Sequence, residues 1–133
     1  MGMRDMTVYR DLVRLHEEVR IGVLKQIPTQ YRISDSLTIE SCFDGLRDCI
    51  SFLSRNRDNK KKADKIDDSM RFIDALYYKI ELQSLAHYIN QNKAVDIFLK
   101  IQQIEKQLAG LRKHLVSDQN SNTQGSGSES VLK

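Results

Sequence analysis

Ile39-Glu40-Ser41-Cys42-Phe43-Asp44-Gly45-Leu46-Arg47-Asp48-Cys49-Ile50-Ser51-Phe52-Leu53 is the stretch on which the fold turns. Its positions Ile39, Cys42, Phe43, Leu46, Cys49, Ile50 and Leu53 recur at i, i+3, i+4 and i+7 without a miss. That spacing puts them on one face of an α-helix and sends the charged residues elsewhere. A half-buried strand would need alternation at period two, and the chain carries almost no such signal.

Immediately upstream lies Lys25-Gln26-Ile27-Pro28-Thr29-Gln30-Tyr31-Arg32-Ile33-Ser34-Asp35, with the only proline. Proline lacks a backbone donor and biases the residue before it away from helix. A first helix is therefore expected over residues 5–27, ending near Ile27, and Ser34 or Asp35 is expected to cap the second. In that first helix Leu12, Leu15, Val19, Gly22 and Ile27 form one stripe, with Tyr9, Val13 and Val23 beside it.

Downstream, Ser54-Arg55-Asn56-Arg57-Asp58-Asn59 breaks the pattern. A third helix is expected from about Lys60 to Ile89, with a stripe of Ala63, Ile66, Met70, Ile73, Tyr77, Ile80, Leu85 and Tyr88 and with Leu76 flanking. Asn90-Gln91-Asn92 interrupts it and offers a cap for a fourth helix. That helix carries Val95, Phe98, Ile101, Ile104, Leu108, Leu111 and Leu115 at bundle spacing. Gly110 has no side chain, so a close helix approach is expected there. Four amphipathic helices with short breaks predict an all-α, antiparallel up-down-up-down four-helix bundle over residues 1–116. Residues 117–133 are mostly Ser, Asn, Gln and Gly, which predicts a disordered C-terminal tail.

No apolar run reaches the ~18 residues of a membrane span. Met1-Gly2-Met3-Arg4-Asp5 lacks the apolar stretch of a secretion signal, so a cytoplasmic location is expected. Cys42 and Cys49 fall seven residues apart on one helix, about 10.5 Å, too far for a mutual disulfide. They read as small buried hydrophobes.

The net charge of +3 hides a segregation. Residues 35–54 carry a local charge of −3, residues 55–65 carry +4 and residues 90–116 carry +3. In an up-down-up-down bundle the second turn, the start of helix 1 and the end of helix 4 share one end. Arg4, Arg10, Arg55, Arg57, Lys60, Lys61, Lys62, Arg112, Lys113 and His114 should converge there. Lys60, Lys61 and Lys62 stand near a helix N-terminus, where each cation costs about 0.3–1 kcal/mol at low salt. Asp58 and Asp64 offset part of this. Cations held against local preference point to a polyanion.

Catalytic chemistry has no visible constellation. The chain lacks a Gly-rich phosphate loop, a Cys pair at zinc spacing and the Glu-x-x-His pair of di-iron bundles. No cofactor or metal is expected. His16 reads as a hydrogen-bonded, half-buried histidine, and His114 suits a helix C-terminus. Glu17-Glu18 and Asp67-Asp68 read as solvated faces. Tyr31, beside Arg32, is the best candidate for base stacking, although a packing lid over the bundle end is the simpler expectation. Tyr77 and Tyr88 read as core.

The order of these parts resembles a known group: Ile27-Pro28, then Tyr31-Arg32-Ile33, a helix of small and apolar residues, a charged turn, a long third helix, and a last helix with Ile104-Glu105-Lys106-Gln107-Leu108-Ala109-Gly110-Leu111. It is similar, over roughly residues 8–115, to the bacterial four-helix-bundle family of accessory variability determinant (Avd) proteins of diversity-generating retroelements. Proteins encoded in ribosomal-RNA intervening sequences are related to that family. The resemblance implies a homopentamer with a basic surface. Its partners would be the element's reverse transcriptase and its template RNA, in support of mutagenic cDNA synthesis. Arg55, Arg57, Lys60, Lys61, Lys62, Arg112 and Lys113, with Arg4 and Arg10 contributing less, would then contact phosphates. Leu24, Phe72, Leu82 and Ile97 exceed one bundle seam and would serve an oligomer interface. A second expectation is an oligomeric scaffold acting only through protein contacts, with the basic end docking an acidic protein.

Overall fold

The apolar stripes become four helices: α1 (Thr7–Gly22), α2 (Thr29–Arg55), α3 (Asn59–Leu85) and α4 (Gln91–Gly127), with 3-10 turns at Met3–Asp5 and Leu24–Gln26. The computed structural model describes the backbone of residues 2–127 and the side chains of residues 2–117. The polar tail expected over 117–133 therefore lies, beyond Ser117, outside the residues with described side chains. No strand occurs among the described residues.

α3 packs along both α2 and α4, α1 packs on α4 and α2, and the pairs α1/α3 and α2/α4 sit diagonally. The connections from α2 to α3 and from α3 to α4 are short, so the helices alternate in direction, as an up-down-up-down bundle requires. Every apolar position of the Ile39–Leu53 stripe is buried. It meets Ile66, Ile73, Leu76 and Ile80 of α3, Ile97, Ile101, Ile104 and Leu108 of α4, and Leu12, Leu15 and Val19 of α1 in one core. Each such aliphatic side chain stabilises the fold by about 1.5–3 kcal/mol through burial. Cys42 and Cys49 are buried free thiols, and burial pushes both pKa values up.

The first reversal differs from expectation. α1 stops at Gly22, and the chain tightens into the Leu24–Gln26 turn before an extended Ile27. The bias that Pro28 places on Ile27 is thus met by a 3-10 turn rather than by a longer helix. α2 begins at Thr29, directly after Pro28, without a side-chain cap. A proline at a helix start loses no useful donor and has its φ, here −54°, already set. Ser34 and Asp35 consequently sit inside the helix. Ser34 donates to the Tyr31 carbonyl, while Asp35 reaches α3, accepting from Gln83 Nε2 at 3.2 Å and pairing with Lys79 at 3.5 Å. Arg32 closes the turn: its guanidinium donates to the Ile27 carbonyl (3.2 and 3.1 Å) and the Lys25 carbonyl (3.4 Å).

The second and third reversals are capped. Asp58 accepts from the backbone N–H of Lys60 and Lys61, and Asn90 accepts from that of Lys93 at 2.8 Å. α3 ends at Leu85 rather than Ile89. His87 there adopts φ 64°, with its N–H on the Ser84 carbonyl and the Tyr88 N–H on the Gln83 carbonyl. Those two bonds define a Schellman terminus with histidine where glycine is usual.

Helix phase also shifts. Leu76 is core rather than flanking, and Leu85 is exposed. In α4 the 3-4 spacing continues backwards from Ile101 through Ile97 to Ala94, so Ile97 is core and Val95 is exposed. Phe72 and Leu24 are half-buried against the core, which leaves Leu82 as the exposed member of the set expected at an interface. Gly110 has nothing near its Cα hydrogen. The close approach occurs instead at Gly45, against the Phe72 ring.

Candidate nucleic-acid interface

At the end of the bundle opposite Pro28, the connection between α2 and α3 is three residues long and held by its own polar groups. Asn56 Oδ1 accepts from the Asp58 N–H at 2.9 Å, and Arg55 Nε donates to the Ser51 carbonyl at 3.3 Å. This turn, the residue preceding α1 and the later turns of α4 enclose a cleft of about 480 Å³. Met6, Leu53, Leu111 and Leu115 give it apolar walls, and Arg55, Arg57 and Lys62 give it a cationic rim, with Ser54, Asn56 and His114 between. Leu53 is anchored in the core, so the floor is fixed from within.

The expected cluster divides here. Arg55, Arg57 and Lys62 come together around the cleft, and none of the three has a carboxylate partner among the described residues. Lys61 and Lys113 are exposed neighbours, likewise without an ion pair among those residues. Lys60 leans along its own helix to Asp64 at 3.4 Å. Arg112 turns to the flank, where Nε and Nη2 grip Asp67 of α3 at 2.6 and 3.1 Å. That hydrogen bonding raises the Arg112 pKa further and occupies its fork. Arg4 is exposed in the 3-10 turn before α1, and Arg10 donates to Thr7 Oγ1 at 3.5 Å. Neither lines the cleft.

Cations elsewhere are more often matched. Lys93 and Lys100 both bind Glu18, at 2.9 and 2.5 Å, so Glu18 is a half-buried bridge from α1 to α4 rather than part of a solvated face. Arg20 binds Glu40 at 2.7 Å, and Lys79 binds Asp35. The Arg20 hydrogen bond lowers the Glu40 pKa against the opposing effect of burial, and His16 assists. His16 is half-buried as expected, hydrogen-bonded to Glu40 and stacked on Phe43 with ring centroids 4.2 Å apart and planes at 7°. Tyr31 is 48% exposed and forms no lid. Arg32, spent on backbone carbonyls, makes no stacking partner for it. Tyr77 is half-buried, with its hydroxyl toward Glu105 at 3.5 Å, and Tyr88 is half-buried too.

The apolar walls of the cleft carry no signal in the sequence. Met6 precedes the first helical stripe, and Leu111 and Leu115 read as ordinary core positions until the end of the bundle is seen to be open between them. Comparison of the chain with protein-family models, with curated proteins and with solved structures finds no match.

Proposed function

We propose that the chain is a non-catalytic accessory protein that binds the template RNA of a reverse transcriptase, and the polymerase itself, in support of mutagenic cDNA synthesis. The observation carrying the RNA part is the convergence of Arg55, Arg57 and Lys62 on one cleft, unmatched by carboxylates among the described residues. Carboxylates neutralise Arg20, Lys79, Lys93 and Lys100 elsewhere on this surface, whereas the cationic end leaves charge for phosphates. The polymerase, and assembly as a homopentamer, follow from the resemblance to Avd-like bundles.

The test is retention of structured RNA on a filter across a salt series, for the wild type and for R55Q/R57Q/K62Q. Loss of three phosphate contacts should weaken binding and flatten the log–log salt slope by about 2–3. Unchanged binding at every salt concentration removes this end as the site. A native mass measurement tests the assembly: a pentamer supports the resemblance, and a monomer counts against it.

A second reading, a scaffold acting through protein contacts alone, has one observation in its favour. Ile33, Leu37, Tyr78, Leu85 and Leu99 are exposed apolar side chains toward the end holding Pro28. Absence of RNA retention at low salt favours that reading.

A further inference from the structure

We infer that the cleft at the basic end receives one unstacked base of single-stranded RNA, with the phosphates on either side of that base on Arg55, Arg57 and Lys62. The inference rests on the RNA reading above and adds to it the form of RNA that is taken.

Charge alone would be served by a convex basic surface, which binds duplex and single strand alike. Here the cations edge a concavity instead, all three of them from the α2–α3 turn and the helix ends beside it. Its volume, about 480 Å³, lies within the range of small-ligand sites. Its walls are Met6, Leu53, Leu111 and Leu115, four flexible or branched aliphatic side chains that offer contact to a flat apolar face. Ser54, Asn56 and His114 provide polar groups between the walls and the rim. An occupant that fits both features is apolar over one face and anionic beside it. A nucleotide within a strand has that form, since every base has an apolar face and is flanked by phosphates. A base still paired in a helix cannot enter, because its faces are covered by its neighbours. The rim spans the last residue of α2, the three-residue turn and the first turn of α3, so its backbone is held at both ends by helix.

The experiment compares three probes of equal charge by fluorescence anisotropy: an oligouridylate of about 12 nucleotides, the same strand with abasic sugars, and a duplex of the same phosphate number. The wild type should bind the base-bearing strand about five- to tenfold more tightly than the abasic strand. S54F, which fills the cleft from its polar side and leaves every cation in place, should erase that difference without altering abasic binding or the salt slope. The probe comparison stands on the wild type alone, and so does not depend on that variant folding. Equal affinity of the wild type for base-bearing and abasic strands overturns the inference. If R55Q/R57Q/K62Q then still weakens both strands, the RNA reading survives without the base cleft. Failure of all probes to bind at low salt removes both.

Discussion

The ring of Phe72 on α3 lies over the backbone of Gly45 on α2 so closely that a Cβ added to Gly45 would fall 2.4 Å from Cε2 and Cζ of that ring. No real Cβ tolerates that distance, so Gly45→Ala must displace the ring. Alanine gains about 1 kcal/mol of helix propensity over glycine, while forced repacking costs about 1–3 kcal/mol. Gly45→Ala should therefore destabilise the bundle by about 1 kcal/mol. With Phe72→Ala in the background, the same substitution should become stabilising. Urea midpoints of the four proteins decide it, and a substitution of equal sign in both backgrounds would contradict the contact.

His87 ends α3 in the left-handed region, where a side chain costs about 1–2 kcal/mol. Glycine removes that strain at a cost of about 0.5–1 kcal/mol in chain entropy. His87→Gly should raise the melting temperature by a few degrees, corresponding to roughly 0.5–1 kcal/mol. A lower melting temperature would mean that the imidazole makes a contribution larger than the strain.

Burial opposes ionisation of Glu18, but hydrogen bonds from Lys100 and Lys93 outweigh it and bring its pKa from 4.5 to about 2. A carboxyl with a lower pKa in the folded state stabilises fully above its unfolded value, and the effect disappears as pH falls through the folded value. Glu18→Gln should thus be less stable than the wild type near neutral pH. The difference should close as pH falls from about 4.5 to about 2, where both proteins carry an uncharged group. Denaturant unfolding at several pH values reads this directly, and a gap independent of pH would assign the loss to packing.

Asp58 caps α3 while standing within the cationic turn. Asp58→Ala should destabilise the fold by about 1 kcal/mol through loss of the cap. The same change removes a negative charge beside Arg57, so RNA affinity at low salt should rise if this end is the site. Opposite signs in stability and binding are the expected signature.

The sequence carried the helices because burial imposes a period, and α2 shows it most plainly: all seven positions of its stripe are core. Turns carried less. His87 takes a backbone conformation that glycine normally advertises, so the sequence shows no stop at Leu85 and its pattern runs on to Ile89. Pro28 marks a stop in the sequence, although it equally opens α2. The pairing of Glu18 is invisible in sequence because its two cations stand 75 and 82 positions away. For the site, Arg55, Arg57 and Lys62 were visible as a local charge excess. The partition of Arg112 to Asp67, and the apolar cleft walls, depend on which side chains the closed bundle brings face to face.

The cyclic arrangement of the helices also has a kinetic meaning. α2, α3 and α4 are joined as successive hairpins, so their mutual contacts close short loops. α1, the shortest helix at 16 residues, must find α4 across the rest of the chain, as in the bond from Gln107 to Asp11. The greatest loop-closure cost thus falls on the docking of α1, and a three-helix unit can precede it. Substitutions such as Leu12→Ala should then accelerate unfolding and leave the folding rate nearly unchanged.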